Sequence, residues 1–263
     1  MTQLTPYQIY DLLNRPRPLW LVKIDLSDAS LWLADLSSAD LSWANLNRTD
    51  LSRATLIRTN LSRANLSSAN LYEAILSRAI LVGANLIRTD LTRADLGKAD
   101  LSEADLTEAN LARASFSMAT MLATNLNSTT GARADFSKAD MAGANLTGAD
   151  LQLANMFESN LTRARLTRVK LNKSDLNRAN LSGANLTEAD LSGADLSGAR
   201  LLHADLTRAI LKDADLTGAD VTGAKFEGAD FAGANIKQTD LSKANLAGSS
   251  LAPHGRPATA DLR

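Results

Sequence analysis

The sequence repeats with a period of five residues, and this period limits the folds that are open to the chain. Leucine or another apolar residue recurs at every fifth position, and the register holds from Leu26 to Leu251 over 46 pentapeptides, interrupted only by Gly131. On an α-helix, leucines five residues apart would scatter around the axis. On a flat strand they would alternate between the two faces. Neither regular element can therefore bury them all.

Alanine two residues before each leucine indicates how the chain resolves this conflict. Residues two apart in an extended segment point to the same side, so Ala194 and Leu196 face inward together while Asp195 faces outward. The next two residues, Ser197 and Gly198, must then turn the chain. Repetition of this unit predicts an all-β solenoid with a leucine core and a polar exterior.

The Ala-(Asp/Asn)-Leu-X-X run resembles the pentapeptide-repeat proteins, and the match extends from Ile24 to Leu251. This resemblance implies a right-handed quadrilateral β-helix, in which four pentapeptides form one square coil. It also implies that the central residue and the residue two before it point inward. At about 4.8 Å per coil the eleven to twelve implied coils would form a rod roughly 55 Å long.

Residues 1–25 lack the repeat and are expected to cap the rod. Thr5 to Gln8 form a capping box with proline at the first helical position, and Ile9, Leu12 and Leu13 supply one apolar face. The sequence therefore predicts a short N-terminal capping α-helix that covers the first coil, with Trp32, Leu33 and Trp43 packed beneath it. The alternative is a helix that binds a partner. Residues 26–251 form the repeat domain, and the tail 252–263 is expected to be disordered.

Composition argues against several classes of function. The net charge is −1 and there is no cysteine, so the chain has no overall attraction for nucleic acid or membranes and no thiolate chemistry. The histidines are His203 and His254, and no nucleophile–base pair or glycine-rich phosphate loop accompanies them. We therefore expect a protein that is not an enzyme and has no cofactor and no metal site. Without a signal-peptide pattern or a membrane-spanning apolar run, a cytoplasmic location is expected.

An aspartate ladder is the one pattern that could suggest a cation. Asp175, Asp195 and Asp215 recur every twenty residues and would line one corner of the square coil. Such a ladder could hold Ca²⁺. The family resemblance instead implies a solvated position at which these side chains bond to the backbone.

Charged and apolar departures from the repeat nominate surfaces for a partner. Residues 41–180 carry 17 basic and 13 acidic side chains, whereas residues 181–250 carry 6 and 10. A coil of twenty residues aligns two basic rows, Arg58, Arg78, Lys98 and Arg93, Arg113, Arg133. These rows could contact an acidic partner or phosphates, or could be a solvated face. Leu122, Leu202 and Phe157 are apolar residues at outward positions. They could form a contact surface or could be isolated exposed groups.

Two positions interrupt the core pattern. Gly131 occupies a central position, so we expect either a hole in the core or a local loop or bulge. At the C-terminal end the last coil is expected to expose Phe231, Ile236, Leu241 and Leu246. A homodimer through this coil would cover them, and the alternative is a monomer whose tail folds over the opening.

The function expected from the sequence is that of a non-enzymatic scaffold that binds an unidentified protein partner. The family resemblance offers an alternative, a DNA mimic that binds a type II topoisomerase. That role requires a continuous acidic face, which the balanced charge does not favour. Direct binding of nucleic acid is not expected.

Overall fold

The fold is a four-sided β-solenoid preceded by one helix. A computed structural model describes residues 5–16 and 18–251. After helix α1, Pro6–Leu13, every fifth residue forms an isolated parallel bridge with the residue twenty positions later. These bridges run without a gap from Trp20–Asp40 to Asp215–Asn235 and end with Lys225–Asn245. Four bridges per twenty residues define a coil with four walls, and the bridged residues do not extend into longer strands in this part of the chain.

The corners are tight turns that place ordinary residues in a glycine-like conformation. The carbonyl of each central residue accepts the N–H three residues later, as in Ala29 N to Leu26 O at 3.1 Å. From Lys23 to Gln238 the second corner residue has φ between +52° and +73°, the value that a type II turn needs at its third position. Its N–H donates to the next coil, as in Lys23 N to Ser42 O at 2.9 Å. That bond offsets the strain of a side chain in the left-handed region.

Four walls and four corners provide a frame for the surface. Wall 1 contains central residue 21 and every twentieth residue after it, and walls 2, 3 and 4 contain residues 26, 31 and 36 in the same way. Corner 1 is the pair of turn residues that follows wall 1, and corners 2, 3 and 4 follow their walls. A row is a set of residues twenty apart, stacked along the rod at about 4.8 Å intervals.

The core is a continuous stack of the inward residues. Between Leu41 and Leu216 the central leucines are 0% exposed, and the alanines two positions earlier are 0–1% exposed. Phe116 and Phe136, neighbours on wall 4, stack with ring centroids 5.0 Å apart. Each buried leucine contributes about 1.5–3 kcal/mol relative to exposure. The inward register expected from the sequence is confirmed.

Threonine replaces the inward alanine at several positions and adds a hydrogen bond inside the core. The hydroxyls of Thr49, Thr59, Thr89 and Thr124 each donate at 2.8 Å to a leucine carbonyl 23 residues earlier. Thr129 instead bonds to Leu126 O in its own turn at 2.9 Å. These buried hydroxyls therefore all have acceptors, which avoids the penalty of an unpaired polar group.

Gly131 neither opens a hole nor forms a loop, and the expected interruption is wrong. Gly131 N donates to Asp150 O at 2.7 Å and Ala134 N donates to Gly131 O at 3.0 Å, so the coil is regular. The space of the missing side chain is taken by a neighbour on wall 3. A Cβ at this position would lie 2.7 Å from Leu151 Cδ2 and 3.3 Å from Leu111 Cβ.

Helix α1 closes the N-terminal end of the core. Thr5 and Gln8 form the expected capping box, and Ile9 and Leu12 are buried in the apolar cluster. Trp32, Leu33 and Trp43 do not pack beneath the helix: they are 60%, 56% and 52% exposed, so this expectation is wrong. All three are corner residues, which the turn directs outward. Helical structure in the described residues is limited to these eight, far fewer than a bilayer-spanning segment requires.

The C-terminal end departs from the regular coil. Asp220 makes no bridge with Asp240, and Gly223 N bonds to Lys243 O, one residue beyond the usual acceptor. Contrary to expectation, Phe231, Leu241 and Leu246 are buried at 3–5% exposure and Ile236 is partly buried. Their side chains fill the last coil instead of facing water. The tail prediction falls on residues 252–263, which lie outside the described residues.

Candidate functional site

Corner 4 carries a row of basic side chains without partners. Arg58, Arg78 and Lys98 occupy the second position of this corner in three successive coils. In the described part of the chain none of the three forms an ion pair or a side-chain hydrogen bond, and the row continues with Met118 and Lys138. Three uncompensated charges about 4.8 Å apart create a local positive field that an anionic group can relieve.

The second expected row, Arg93, Arg113 and Arg133, lies on corner 3. Arg93 is paired with Glu73 at 3.2 Å, and Arg53 also contacts this carboxylate at 2.9 Å. A hydrogen bond from the Tyr72 hydroxyl and the two arginines lower the pKa of Glu73. Arg113 and Arg133 have no such partner among the described residues. Because the chain runs from corner 3 along wall 4 to corner 4, both rows flank one wall.

Basic residues on corner 2 show the opposite arrangement. Arg48 bonds to Asp28 at 2.6 Å, and Arg88 and Arg168 bond at 2.7 Å to the glutamates twenty residues later, Glu108 and Glu188. These carboxylates raise the pKa of the three guanidinium groups. Such exposed pairs add little stability, but they neutralise the corner. The unpaired row of corner 4 therefore differs from the charge pairing seen on corner 2.

Further along the rod the same corner changes from basic to acidic. Gly198 and Gly218 replace the long side chains at the second corner position, so the corner is low there. Asp195 and Asp215 on wall 4 and Asp220 on wall 1 border these glycines. No ion pair involves these three carboxylates within residues 18–251. Corner 4 thus has a basic ridge in its N-terminal half and an acidic notch in its C-terminal half.

The aspartate ladder of wall 4 serves its own turns. Asp195 Oδ1 accepts the backbone N–H and the hydroxyl of Ser197 at 2.8 and 2.5 Å, and Asp215 Oδ1 accepts the same pair from Thr217. The Thr217 hydroxyl bond is the main cause that lowers the pKa of Asp215. Oδ2 of each makes no hydrogen bond to the described residues and remains open to an outside cation. This agrees with the solvated, backbone-bonding position that the resemblance implied.

The apolar residues nominated by the sequence do not form one patch. Leu122, 40% exposed, and the half-buried Leu202 lie four coils apart on corner 1. Phe157 is half-buried on corner 4, and Leu153, 45% exposed, lies across wall 4 on corner 3. Phe157 alone among the nominated residues shares a corner with the basic row.

The chemistry available on this surface is binding by charge and shape. No group of three or more histidine, cysteine or acidic side chains in the described residues is arranged to hold a metal ion. His203 lies over Gly223, where a Cβ would be 2.3 Å from its Nδ1, so it packs against the next corner. Reasoning from the sequence missed the acidic notch. An alignment of positions twenty apart would have found it, because glycine and aspartate recur at that period.

Comparisons with known proteins agree with this architecture. The family model described as Pentapeptide repeats matches in eight copies, over residues 21–53, 49–88, 89–127, 134–172, 174–213 and 209–248. Residues 128–133, around Gly131, fall between two of these matches, although the coil continues through them. No curated protein sequence matches the chain.

Three solved structures are similar to the chain. HetL, a pentapeptide repeat protein involved in heterocyst differentiation regulation in the cyanobacterium Nostoc sp. strain PCC 7120, is 32% identical. The alignment covers 94% of this chain and 98% of HetL, with a TM-score of 0.30. A pentapeptide repeat protein from the thylakoid lumen of Arabidopsis thaliana is 34% identical over 40% of this chain and 70% of its own, with a TM-score of 0.34. A trypsin-treated variant of QnrB1, a plasmid-mediated fluoroquinolone resistance protein, is 17% identical over 76% and 90%, with a TM-score of 0.49.

The family matches cover most of the chain, and proteins of this family fold as right-handed quadrilateral β-helices. The four-walled coil, the inward leucines and alanines and the corner turns of this chain have that form. The chain is a member of the pentapeptide-repeat family.

Proposed function

We propose that the protein is a non-enzymatic scaffold that binds another protein along corner 4. The observation that carries the proposal is the row of Arg58, Arg78 and Lys98, whose charges have no partner in the described chain. On corner 2, by contrast, glutamates one coil away neutralise Arg88 and Arg168. A surface that leaves three aligned charges unpaired is suited to an external acidic group.

Rigidity supports this role. Backbone hydrogen bonds join each coil to the next along all four walls, and the central side chains are fully buried over most of the rod. Side chains on one corner therefore hold fixed spacings over many coils, and a partner does not have to order them. Preorganisation of this kind reduces the entropy lost on association. The relative at 32% identity takes part in the regulation of differentiation, which is compatible with a binding role.

The alternative, a DNA mimic that binds a type II topoisomerase, has less support. Mimicry of a duplex requires negative charge along the length of one face. Corner 4 is basic in its N-terminal half, and corner 3 carries the unpaired Arg113 and Arg133. The acidic notch at Gly198 and Gly218 spans two coils. No wall in the described chain presents the continuous acidic face that this alternative needs.

A homodimer through the C-terminal coil remains a second proposal, on different grounds from those the sequence suggested. The backbone N–H groups of Ile236, Leu241 and Leu246 donate no hydrogen bond within the described residues, so the coil presents an open edge. An edge of this kind pairs readily with another backbone. The contact would rest on these main-chain groups, since Phe231, Leu241 and Leu246 are buried.

Affinity capture from cells with a matched pair of variants tests the scaffold proposal. The bait set is the wild type, a corner 4 variant with Arg58→Glu, Arg78→Glu and Lys98→Glu, and a corner 3 variant with Arg113→Glu, Arg133→Glu and Lys173→Glu. We expect a protein that the wild type and the corner 3 variant retain and that the corner 4 variant loses. The same captured proteins on all three baits would refute corner 4 as the binding surface.

A further inference from the structure

We infer that corner 4 binds a second copy of this chain, so that two rods lie side by side and antiparallel. The inference rests on the proposed function, because it assigns a partner to the same corner. The basic ridge of one copy, Arg58, Arg78 and Lys98, would lie along corner 4 of the other, with Arg78 and Lys98 against its acidic notch. Since each chain carries both a ridge and a notch, one two-fold axis makes both contacts at once.

Shape supports this pairing as well as charge. The ridge consists of long side chains at the outermost position of the corner. At the notch that position is Gly198, bordered by Asp195 and Arg200, or Gly218, bordered by Asp215 and Asp220. A long cationic side chain can therefore enter at Gly218, where a Cβ would have no neighbour within 4 Å, and it meets carboxylates on both sides there. The charges on both surfaces lack ion-pair partners in residues 18–251, so their association replaces no existing pair.

The spacing along the row sets the position of the two-fold axis. When Arg78 lies opposite Gly218, Lys98 lies opposite Gly198. Lys98 is one coil after Arg78, Gly198 is one coil before Gly218, and the two rods run in opposite directions. The same register places Lys138 of one copy opposite Glu158 of the other beside the axis. Within a single chain these two side chains already attract each other at 3.7 Å. A parallel arrangement would place Arg78 opposite Arg78, so charge selects the antiparallel one.

Two further features of the surface agree with this register. The axis keeps wall 1 of one copy beside wall 1 of the other, which brings Arg200 opposite Asp100. Neither residue forms an ion pair in the described chain. Phe157 on corner 4 lies half a coil from the axis, so it comes within about one coil of its own copy. Aromatic side chains are enriched in specific interfaces, and Phe157 would supply one near the axis.

The rod is long enough for a stable contact of this kind. Arg58 and Gln238 are nine coils apart on corner 4. At about 4.8 Å per coil the shared strip is 43 Å long. A strip of that length needs a width of about 19 Å to bury 800 Å² on each partner, the typical size of a specific interface.

Charge reversal can test the contact with residue types that the repeat already accepts at these positions. Glutamate already occupies the second corner position at Glu73, Glu103, Glu108, Glu158 and Glu188, so the ridge variant Arg58→Glu, Arg78→Glu, Lys98→Glu uses a residue that the turn accepts. Basic residues already occupy the outward wall position at Arg165, Lys170 and Lys225. The notch variant Asp195→Lys, Asp215→Lys, Asp220→Lys is supported in the same way.

The experiment measures mass in solution by light scattering, in about 50 mM salt, where exposed charges are weakly screened. We expect the wild type to have twice the chain mass of 28.0 kDa, and each variant alone to be monomeric. An equimolar mixture of the two variants should recover the dimer, since the reversed ridge then faces the reversed notch in one contact and the native ridge faces the native notch in the other. The corner 3 variant, Arg113→Glu, Arg133→Glu, Lys173→Glu, should remain dimeric.

The outcomes separate this inference from its alternatives. A monomeric wild type, or a mixture of variants that stays monomeric, would overturn the side-by-side dimer. Dimers that persist in both single variants would also overturn it and would point to the C-terminal edge. If the wild type is monomeric but the corner 4 variant still loses a captured protein, the scaffold proposal stands and the second copy is excluded.

Discussion

Gly131 and Leu151 form a coupled pair, and a double-mutant cycle measures the coupling. In the wild type a Cβ added at residue 131 would lie 2.7 Å from Leu151 Cδ2. Carbon atoms pack best at about 3.5–4.0 Å, so Gly131→Ala forces Leu151 from its position. Overpacking of this kind costs about 1 kcal/mol or more. We expect Gly131→Ala to destabilise the wild type by roughly this amount.

Gly131→Ala should stabilise the protein instead of destabilising it once Leu151 is replaced by a shorter side chain. In the Leu151→Ala background the atom at 2.7 Å is gone, and the new methyl would contact Leu111 Cβ at 3.3 Å and Ala134 Cβ at 3.7 Å. A buried methyl contributes about 0.8 kcal/mol. Replacement of glycine adds about 0.4–1 kcal/mol through the unfolded chain. We therefore expect a stabilisation of about 1 kcal/mol and a coupling of about 2 kcal/mol between the two sites.

The assay is local, because repeat rods need not unfold in one step. Hydrogen exchange of the amides of residues 131 and 134, which bond to Asp150 O and to Gly131 O, reports stability at this coil. Thermal unfolding of the same four proteins provides an independent measure. If Gly131→Ala changes protection by the same sign and size in both backgrounds, Leu151 does not fill the glycine position and the reasoning is refuted.

Three further predictions concern the core, its hydroxyls and the corner aspartates. Leu146→Asp should unfold at least the neighbouring coils, because an unpaired carboxylate would lie between leucine layers. Arg168→Ala, at an exposed corner, should leave the melting temperature unchanged. Equal shifts in melting temperature for the two variants would contradict the inward register. Thr89→Val should lower the free energy of unfolding by about 1 kcal/mol through loss of the core hydrogen bond, and an unchanged urea midpoint would argue against that bond. Asp215 has a lowered pKa in the folded protein, so its ionised side chain adds to the free energy of unfolding above pH 3.8, the ordinary value. This stabilisation is lost as the pH falls below that value. Asp215→Asn should therefore weaken the protein near neutral pH and have a smaller effect below pH 3.8, and a pH-independent difference between the two melting curves would count against this.

Much of the fold follows from the sequence because local and global signals coincide. The alanine two before each leucine identifies the inward pair, and the period of five identifies the turn. The capping box at Thr5 and Gln8 identifies the start of helix α1, which the structure confirms. These features depend on near neighbours in the chain, where residue type decides geometry directly.

Other features depend on contacts between coils, which the sequence does not specify. Gly131 is filled by a side-chain shift of Leu151, a packing choice that no local pattern encodes. Trp32 and Trp43 remain exposed because corner geometry overrides their hydrophobicity. The candidate site could be predicted from the sequence only in part. The basic rows could be predicted from the twenty-residue alignment, but which arginines are neutralised depends on side-chain conformations, as the pairing of Arg93 with Glu73 illustrates.

Because each coil consists of four equivalent pentapeptides, the surface of this protein is sensitive to the length of a deletion. Deletion of twenty residues would shorten the rod by one coil and leave every row aligned. Deletion of five would keep the leucine core continuous but rotate all later corners by a quarter turn relative to the earlier ones. The basic ridge of corner 4 would then no longer share an edge with the notch at Gly198 and Gly218. Removal of a single pentapeptide can therefore redistribute charge around the rod without substituting any side chain.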